Sequence, residues 1–442
     1  MNYIHSLILL VLIFTACNPV ATATQTTLSE IRTELPPQSP TLYVSTPTIA
    51  PISTAVDPTF TPAPTSTAIA SLRPGQPLIL AMIHMSDEQN GWGIDVGEHI
   101  VYTTDGGLTW KDVTPLNGAY RDSGFFALDA NTAWATPYQQ GCATENCAPT
   151  PNNASVWRTT DGGNTWQEGH VCLQSQECNF DFDVPPEAYI PITLEFVDET
   201  TGWLLIVVDH MMNQDRYRLY KTMDSGAHWT PVIDSLTGPM TARVTGLAFQ
   251  DNNTGWMSTS EIFGAVDPMP DWSIYQSTDA GQTWNTIQLP EPIPFQEKFA
   301  PDTLWCGAEK VQVIRPNGIG VTIHCIVLEN ELRPAYDFYF HSTDGGKHWV
   351  SWPVGVDVMF INPLVGWRLT FETGMGAYDL DKTRDGGRTW QPVKTLQWNG
   401  NLEFLNEATG WAIATNENTT ALVHTTDGGK TWEEIKPVVT AN

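Results

Sequence analysis

The sequence is short of positive charge. It carries 21 Lys and Arg against 49 Asp and Glu, a formal net of −28. Such a surface repels a phosphate backbone, which excludes nucleic acid as a partner. Docking by charge to an anionic lipid surface is excluded on the same ground. Long apolar runs are missing too, since the N-terminal run at residues 3–14 is too short to span a bilayer. No Gly-rich phosphate loop follows a strand and opens a helix. No Ser-centred nucleophile elbow stands out. Cysteine is sparse, with seven in 442 residues, and Cys142-x4-Cys147 and Cys172-x5-Cys178 lack zinc spacing and clear His partners. EF-hand-like spacing of acids is absent. No metal and no cofactor is expected.

Residues 1–16 read as an export signal, an apolar run that ends in small residues. Phe14-Thr15-Ala16-Cys17 resembles a lipobox, which implies cleavage before Cys17 and a lipid on that residue. An ordinary cleaved signal or an uncleaved anchor is the other reading. Each places the rest of the chain outside the cytoplasm. Residues 17–75 are rich in Thr, Pro, Ser and Ala and hold few charges. Such a stretch buries too little apolar surface to offset its ordering entropy, so it reads as a disordered stalk. Attachment to a membrane is expected through the N-terminal lipid only.

From residue 76 to 442 one stretch organises the chain. It occurs seven times, at 103–110, 159–166, 222–229, 277–284, 342–349, 383–390 and 425–432, in forms such as TTDGGLTW, TMDSGAHW and STDGGKHW. The shared pattern is Ser/Thr-x-Asp-x-Gly-x-Thr/His-Trp, called the box below. It suits a tight turn between two strands. The Asp of each box (Asp105, Asp161, Asp224, Asp279, Asp344, Asp385 and Asp427) accepts backbone N–H groups one to three residues on. The Gly supplies a positive φ. The Trp of each box (Trp110, Trp166, Trp229, Trp284, Trp349, Trp390 and Trp432) is expected to bury a wide ring where the next strand begins. Its indole N–H still finds a carbonyl there.

A second element precedes each box: Asn90-Gly91-Trp92, Thr132-Ala133-Trp134, Thr201-Gly202-Trp203, Thr254-Gly255-Trp256, Val365-Gly366-Trp367 and Thr409-Gly410-Trp411, with Ile319-Gly320-Val321 in that place in the fifth unit. Most follow a largely apolar stretch and turn residues, the mark of a strand and hairpin. The last two intervals between boxes, 41 and 42 residues, match a four-stranded propeller blade. The expected fold is therefore all-β, a seven-bladed β-propeller of four-stranded antiparallel blades, with only short and protected sheet edges. In the last unit, strand A is expected at 402–405, strand B at 411–415 and strand C at 421–425, with strand D from Trp432. Ring closure is open: residues 77–81 pair with the last strand, or the first blade packs on the last.

In such a ring the A–B and C–D turns lie on one face. Here they are short and repetitive, and the extra length falls on the other face. There the B–C candidates are 138–153, 209–215, 260–271 and 329–337, and the D–A candidates are 115–123, 167–191 and 289–310. Variable loops on a rigid scaffold are where function usually sits. They hold many acids and aromatics, and Tyr138, Asp181, Asp183, Trp272, Trp305 and Tyr336 are the candidate binding residues. Aromatics among acids suit sugar stacking or capture of a basic peptide, whereas for any one of them plain anchoring of the loop against the blades is the simpler account. Three local disulfides are expected, Cys142–Cys147, Cys172–Cys178 and Cys306–Cys325.

The box resembles the Asp-box, or bacterial neuraminidase repeat, found in sialidases, other glycosidases, sorting receptors and assembly factors. A sialidase site would need three Arg clamping a carboxylate and a Phe/Tyr-Arg-Ile/Leu-Pro motif. That motif is absent, and residues 76–110 contain no Arg. Arg121, Arg216, Arg243, Arg333 and Arg368 are the Arg that could converge. Asn406–Trp411 followed by His424–Trp432 is similar to the photosystem II stability/assembly factor family, as are residues 198–203 and 251–256 with their boxes. That resemblance covers residues 77–439 and implies a seven-bladed propeller with a non-enzymatic binding role. The basic patch by which that family meets its client has no counterpart here. The expectation is a monomeric binding or assembly scaffold for a protein or glycan ligand on the long-loop face, with no catalytic residue assigned. A sialidase-like exo-acting glycosidase is the alternative.

Overall fold

The computed structural model describes residues 71–440, apart from 116–117, 139–152, 174–188, 212–213, 242, 261–272, 293–303, 328–334, 356, 373–375 and 417–418. Cys17, residues 1–16 and most of 17–75 lie outside the described residues. The described chain is all-β but for one 3-10 turn at Asp122–Gly124. The first four strands, β1 (Leu80–Met85), β2 (Gly91–Asp95), β3 (Ile100–Thr103) and β4 (Thr109–Asp112), form an antiparallel meander. Meanders of the same kind follow at 125–172, 190–234, 243–288, 304–354, 357–396 and 399–435. Four-stranded antiparallel sheets succeeding one another in this way are the arrangement of a β-propeller. The sheets of the fourth and fifth meanders are joined by one pairing, Ser260 with Gly307.

Burial explains why the second strand of a meander reads as an unbroken apolar run. In Gly202–Met211 (GWLLIVVDHM), Leu204, Leu205, Ile206 and Val207 are all fully buried. Leu204 and Ile206 pack with Trp134, Val156 and Phe196, on the side of the second meander. Leu205 and Val207 pack with Val244, Leu247 and Phe249 of the fourth. Successive side chains point to opposite faces, and here both faces are covered by neighbouring sheets. An alternating polar face would leave polar groups buried without water.

The box works as expected, with more partners than expected. In the last meander the Thr425 hydroxyl donates to Asp427 Oδ1 at 2.9 Å and accepts the Gly429 N–H at 3.0 Å. Asp427 then accepts the Thr431 N–H at 2.9 Å and the Thr431 hydroxyl at 2.7 Å. The carboxylate thus reaches four residues on, beyond the expected three. His228 and His348 replace that Thr in two boxes, and each ring Nδ1 lies 2.6 Å from its Asp. The residue before the Gly also takes a positive φ, even where it is Ser225 or Ala280 (both 65°). Its N–H donates to the A–B turn of the same meander in every repeat, as in Gly106 to Gln89 (2.8 Å) and Ala280 to Asn253 (2.8 Å).

The box Trp departs from expectation in place and in burial. Only Trp110 lies inside its strand. Trp166, Trp229, Trp284, Trp349, Trp390 and Trp432 each stand one residue before the strand that follows, as the last residue of the turn. Trp110 and Trp229 are buried, whereas Trp166, Trp284, Trp349, Trp390 and Trp432 are only half-buried. Most of the rings fold back over their own turn. The indole N–H finds the carbonyl of the box Gly in five repeats: Trp110 to Gly107 and Trp284 to Gly281 (both 2.9 Å), and Trp229 to Gly226, Trp349 to Gly346 and Trp432 to Gly429 (all 3.0 Å). Trp166 donates to Val113 instead, and the Trp390 Nε1–H is buried without a partner. The covered edge meets another aromatic edge to face, Trp229 on Phe196, Trp284 on Phe249, Trp349 on Trp256 and Trp432 on Phe404, at 5.9–6.2 Å between centroids.

Adjacent meanders are locked by the second repeated element. Trp134, Trp203, Trp367 and Trp411 each donate Nε1–H to the carbonyl before the box Gly of the next meander: Ser225 (2.8 Å), Ala280 (3.1 Å), Gly428 (3.2 Å) and Gly106 (3.0 Å). Three of these rings also stack on a Phe of the next meander, Trp134 on Phe196, Trp203 on Phe249 and Trp367 on Phe404, at 3.7–3.8 Å between centroids. The Gly before the Trp leaves room for the Phe of its own meander. A Cβ on Gly202 would lie 2.6 Å from the Phe196 ring, and one on Gly255 2.4 Å from Phe249.

Closure uses both expected routes. Trp411 of the last meander bonds the first box, and Trp411, Ile413 and Leu422 pack with Leu80, Trp110 and Val439. The C-terminal strand Val438–Val439 lies parallel to β4 as a fifth strand, and Pro77 bridges to Val438 on its other edge. Strand limits in the last meander shift slightly from expectation, to Asn399–Phe404, Gly410–Asn416, Thr419–Thr425 and Glu433–Ile435. The hairpin at 209–215 is not a long loop, because Gly202–Met211 and Gln214–Thr222 stay paired to Met211 opposite Gln214.

Asp427→Ala removes the side-chain acceptor of one turn, and Trp203→Phe removes one seam hydrogen bond while keeping an aromatic ring. Each variant is expected to lose roughly 1–3 kcal/mol of stability, read from denaturant melts. The two losses should add, since the sites share no partner. A loss indistinguishable from zero for either would show that the interaction is incidental.

Candidate functional site

The two ends of the meanders differ chemically. At the turn end the box carboxylates are consumed by their own turns. The Thr431 backbone N–H, and then its hydroxyl, hold the Asp427 carboxyl down at about 2. For Asp344 the His348 side chain and backbone hold it well below the carboxylate range. These acids are turn-formers, each accepting three hydrogen bonds from its own turn, as Asp427 does from Thr425 and Thr431. At the other end, connections bond to one another, as in Tyr120 N–H to Glu98 (3.1 Å) and Tyr138 N–H to Ala119 (2.8 Å).

Of the six residues singled out for the loop face, Asp181, Asp183 and Trp272 lie outside the described residues. Tyr138 lies under the Arg121 guanidinium, 3.8 Å from its ring centre, and Arg121 also pairs with Glu98 at 3.0 Å. Tyr336 is exposed. Trp305 and Tyr336 stand on strands, Leu304–Ile314 and Ala335–Ser342, rather than in the loops expected for them. The cause is the fifth meander's first hairpin, paired out to Leu304 opposite Val327 and cross-linked by Cys306–Cys325, whose Cα atoms are 4.1 Å apart. These two cysteines face each other within the strands instead of flanking them. Cys172 is disulfide-bonded. Its expected partner Cys178 lies outside the described residues, as does the pair Cys142–Cys147.

The structure draws attention to a place that sequence reasoning missed. The first strands of six meanders frame a cavity of about 430 Å³ whose polar lining is His84, Asp122, Ser123, Thr193, Glu195, Lys310, Gln312 and Glu403. Asp122 and Ser123 come from the connection between the first and second meanders, so the cavity shares residues with the loop face. Lys310 Nζ reaches Asp122 of that connection at 3.5 Å, and His84 Nδ1 lies 3.3 Å from Glu403 Oε1. A second cavity of about 240 Å³ shares Lys310 and Gln312 and adds Asp337, Tyr339 and Asp357. Among the described residues, no group of three metal-ligating side chains occurs.

Several of these polar groups have structural work as well. The first strand of a meander has one unpaired edge, and side chains from the preceding meander bond its N–H groups. Thr193 Oγ1 accepts Leu247 N–H (3.2 Å), Ser258 Oγ accepts Val311 N–H (3.2 Å) and Asp357 Oδ2 accepts Leu402 N–H (2.7 Å). Glu195 accepts the Phe249 N–H in the same way. Burial nonetheless dominates both carboxyls. It pushes Glu195 up to about 8, against the Phe249 bond and the more distant Arg315 and Lys310 charges. It pushes Asp357 up to about 6, against the Leu402 and Val358 N–H groups. For His84 burial works against the charged form, but the Glu403 hydrogen bond and the Glu403 and Asp122 charges outweigh it and raise the imidazole.

Among the described residues, no Arg lines either cavity. Of the five Arg that could have converged, Arg121 pairs with Glu98, Arg216 with Asp209 (3.8 Å) and Arg368 with Asp381 (2.9 Å). Arg243 opens a strand of the fourth meander, and Arg333 lies outside the described residues. On the sixth meander Asp381 is held by Arg368, and Asp379 accepts the Thr395 hydroxyl at 2.8 Å.

No family model matches the chain, and no curated protein matches it. Solved structures with a similar fold include YCF48 bound to D1 peptide, 16% identical over 82% of this chain and 99% of that one, with a TM-score of 0.45. Others are polysaccharide lyase Uly1, 8% identical over 79% and 90% with a TM-score of 0.49, and Hadza microbial sialidase Hz136, 15% identical over 64% and 66% with a TM-score of 0.36. Binding proteins and enzymes thus share this architecture, and likeness at this level carries no argument between them.

The two raised carboxyls give a signed prediction. Folding keeps protons on Glu195 and Asp357 at pH values where the unfolded chain, titrating near pH 4, has released them. On their account the folded state binds more protons, so their contribution to stability falls as pH rises from about 5 towards 8, above the range in which the depressed box carboxyls act in the opposite sense. Denaturation midpoints across that window should show the fall, and Glu195→Gln should flatten it. A variant with the slope of the parent chain would mean that Glu195 ionises freely.

Proposed function

We propose that this chain is an exported seven-bladed β-propeller, held at a membrane by lipid on Cys17 through the stalk at 17–75, and that it acts as a non-enzymatic binding or assembly module. Its ligand is a protein or glycan met at the long-loop face. The observation that carries this reading is the unequal use of polar groups. At the turn end the box carboxylates are spent on their own turns. The loop end leaves Tyr336 exposed and shares Asp122 and Ser123 with a cavity. The lack of an Arg among the described residues of either cavity weighs against the sialidase-like alternative.

The test is turnover. The exported protein, with disulfides intact, is offered fluorogenic sialosides and a broad set of other glycosides. No turnover is expected. Photo-crosslinkers placed at Tyr138 and Tyr336 should capture a partner that crosslinkers on the turn end, at Lys430, do not. Turnover abolished by substituting a cavity acid would overturn the binding-module reading.

A further inference from the structure

The charges around the central cavity do not balance. Its lining contributes three carboxylates, Asp122, Glu195 and Glu403, and two basic side chains, Lys310 and His84. Lys310 is taken by Asp122 and His84 by Glu403. Glu195 is left with a backbone N–H and no cation at ion-pair distance among the described residues. The nearest positive groups, Arg315 and Lys310, act on it only through space, and Arg315 Nη1 is committed to the Gln250 carbonyl at 3.0 Å. A half-buried carboxyl, largely cut off from water in this position, has two ways to exist. It keeps a proton, or it meets a cation brought from outside.

We infer that the central cavity is a receptor for a cationic side chain, the guanidinium or ammonium end of a basic polypeptide segment, with Glu195 as its carboxylate anchor. The inference rests on the binding-module reading and names the partner's chemistry. Geometry supports it on three counts. The cavity of about 430 Å³ has ample room for one extended basic side chain. Its apolar walls include Met82, Ile83, Phe125, Phe126 and Val313, which suit the methylene stem of such a side chain while the head meets Glu195. The Lys310–Asp122 pair, from the fifth meander and the connection before the second, has both side chains more than half exposed (58% and 63%), so an incoming cation can displace Lys310 and use Asp122 as a second acceptor. A net charge of −28 draws basic segments toward the domain from a distance.

The cavity also dictates a signature that general surface attraction lacks. At neutral pH burial keeps the proton on Glu195, whose carboxyl is pushed up to about 8. A bound guanidinium takes the place of that proton, so binding must release it. Weak attraction to surface acids, already ionised, releases none.

The experiment is isothermal titration of the full chain with an end-capped Gly-Arg-Gly peptide near pH 7, in two buffers of different ionisation heat. Gly-Lys-Gly and the neutral Gly-citrulline-Gly are run beside it. Expected are saturable binding of the Arg and Lys peptides, no binding of the citrulline peptide, and release of up to about one proton per peptide. Glu195→Gln keeps an acceptor for the Phe249 N–H, so it preserves the fold. It should weaken binding roughly tenfold or more and abolish proton release. Lys310→Ala should tighten binding by freeing Asp122. Absence of saturable binding, equal binding of the citrulline peptide, or a Glu195→Gln variant that binds with unchanged affinity would each overturn the inference. A partner crosslinked at Tyr336 whose capture ignores Glu195→Gln would do so too, while leaving the binding-module reading intact.

Discussion

One hydrogen bond does most to turn separate sheets into one body: the indole N–H of a Gly-Trp strand given to the carbonyl before the box Gly of the next meander. The residue that carries that carbonyl sits at positive φ, inside a turn that the Ser/Thr and Asp of the box hold with their hydrogen bonds. The turn that closes one hairpin thus also builds the acceptor that receives its neighbour. From Trp411 to Gly106 the same bond joins the end of the chain to its beginning. Because the link is local in form and repeated, each sheet depends mainly on the two beside it.

The fifth meander shows what happens when the element is missing. Gly320 stands where other repeats have Gly or Ala, but no Trp follows it, and a Cβ there would meet the Tyr339 hydroxyl at 1.9 Å. Tyr339, His341 and Trp352 fill the space. His341 stacks on Phe360 of the next meander at 4.2 Å, as Trp does elsewhere, and bonds the Pro363 carbonyl through Nε2 at 2.8 Å. Burial keeps that imidazole neutral, and its Nδ1 has no partner. On the other side of the meander the Trp256 Nε1–H is also unpaired, and there a backbone pairing, Ser260 with Gly307, joins the sheets instead. A seam can therefore be held by a different set of groups, provided that the flat ring contact or the backbone supplies what the indole did.

The cavity follows from the same construction. Ring-like packing leaves the first strand of each sheet with an unpaired edge, a feature that must be covered. Thr193, Ser258, Glu195 and Asp357 cover it by reaching across to the next strand's N–H groups. Thr and Ser do this without charge. Glu195 and Asp357 do it with groups that burial penalises when ionised, and neither is given a matching cation. A structural requirement thus leaves two half-buried carboxyls beside the cavities whose ionised form burial disfavours.

Much of the scaffold was legible in the sequence, because a turn is a short-range object. Ser/Thr, Asp, Gly and Trp at fixed offsets specify the hydrogen bonds of a box whatever surrounds it, and their repetition gave the strand order. How deeply each box Trp is buried was not legible, since Trp229 is covered and Trp284 and Trp349 are half open although their boxes read alike. Nor was the Phe that stacks at three seams, for Phe196, Phe249 and Phe404 look like any apolar strand residue until a Trp from another repeat lies on them. The loop-face residues were chosen on composition, and only Tyr138 and Tyr336 among them have described side chains. Glu195, Lys310, His84 and Glu403 carried no signal, as isolated charges in strands far apart in the chain. Sequence alone determined the repeat, its turns and its acidity, for each depends on neighbours within a few residues. Only the tertiary structure decided which side chains face one another across the centre, because that distance is set by how many sheets pack and at what angle.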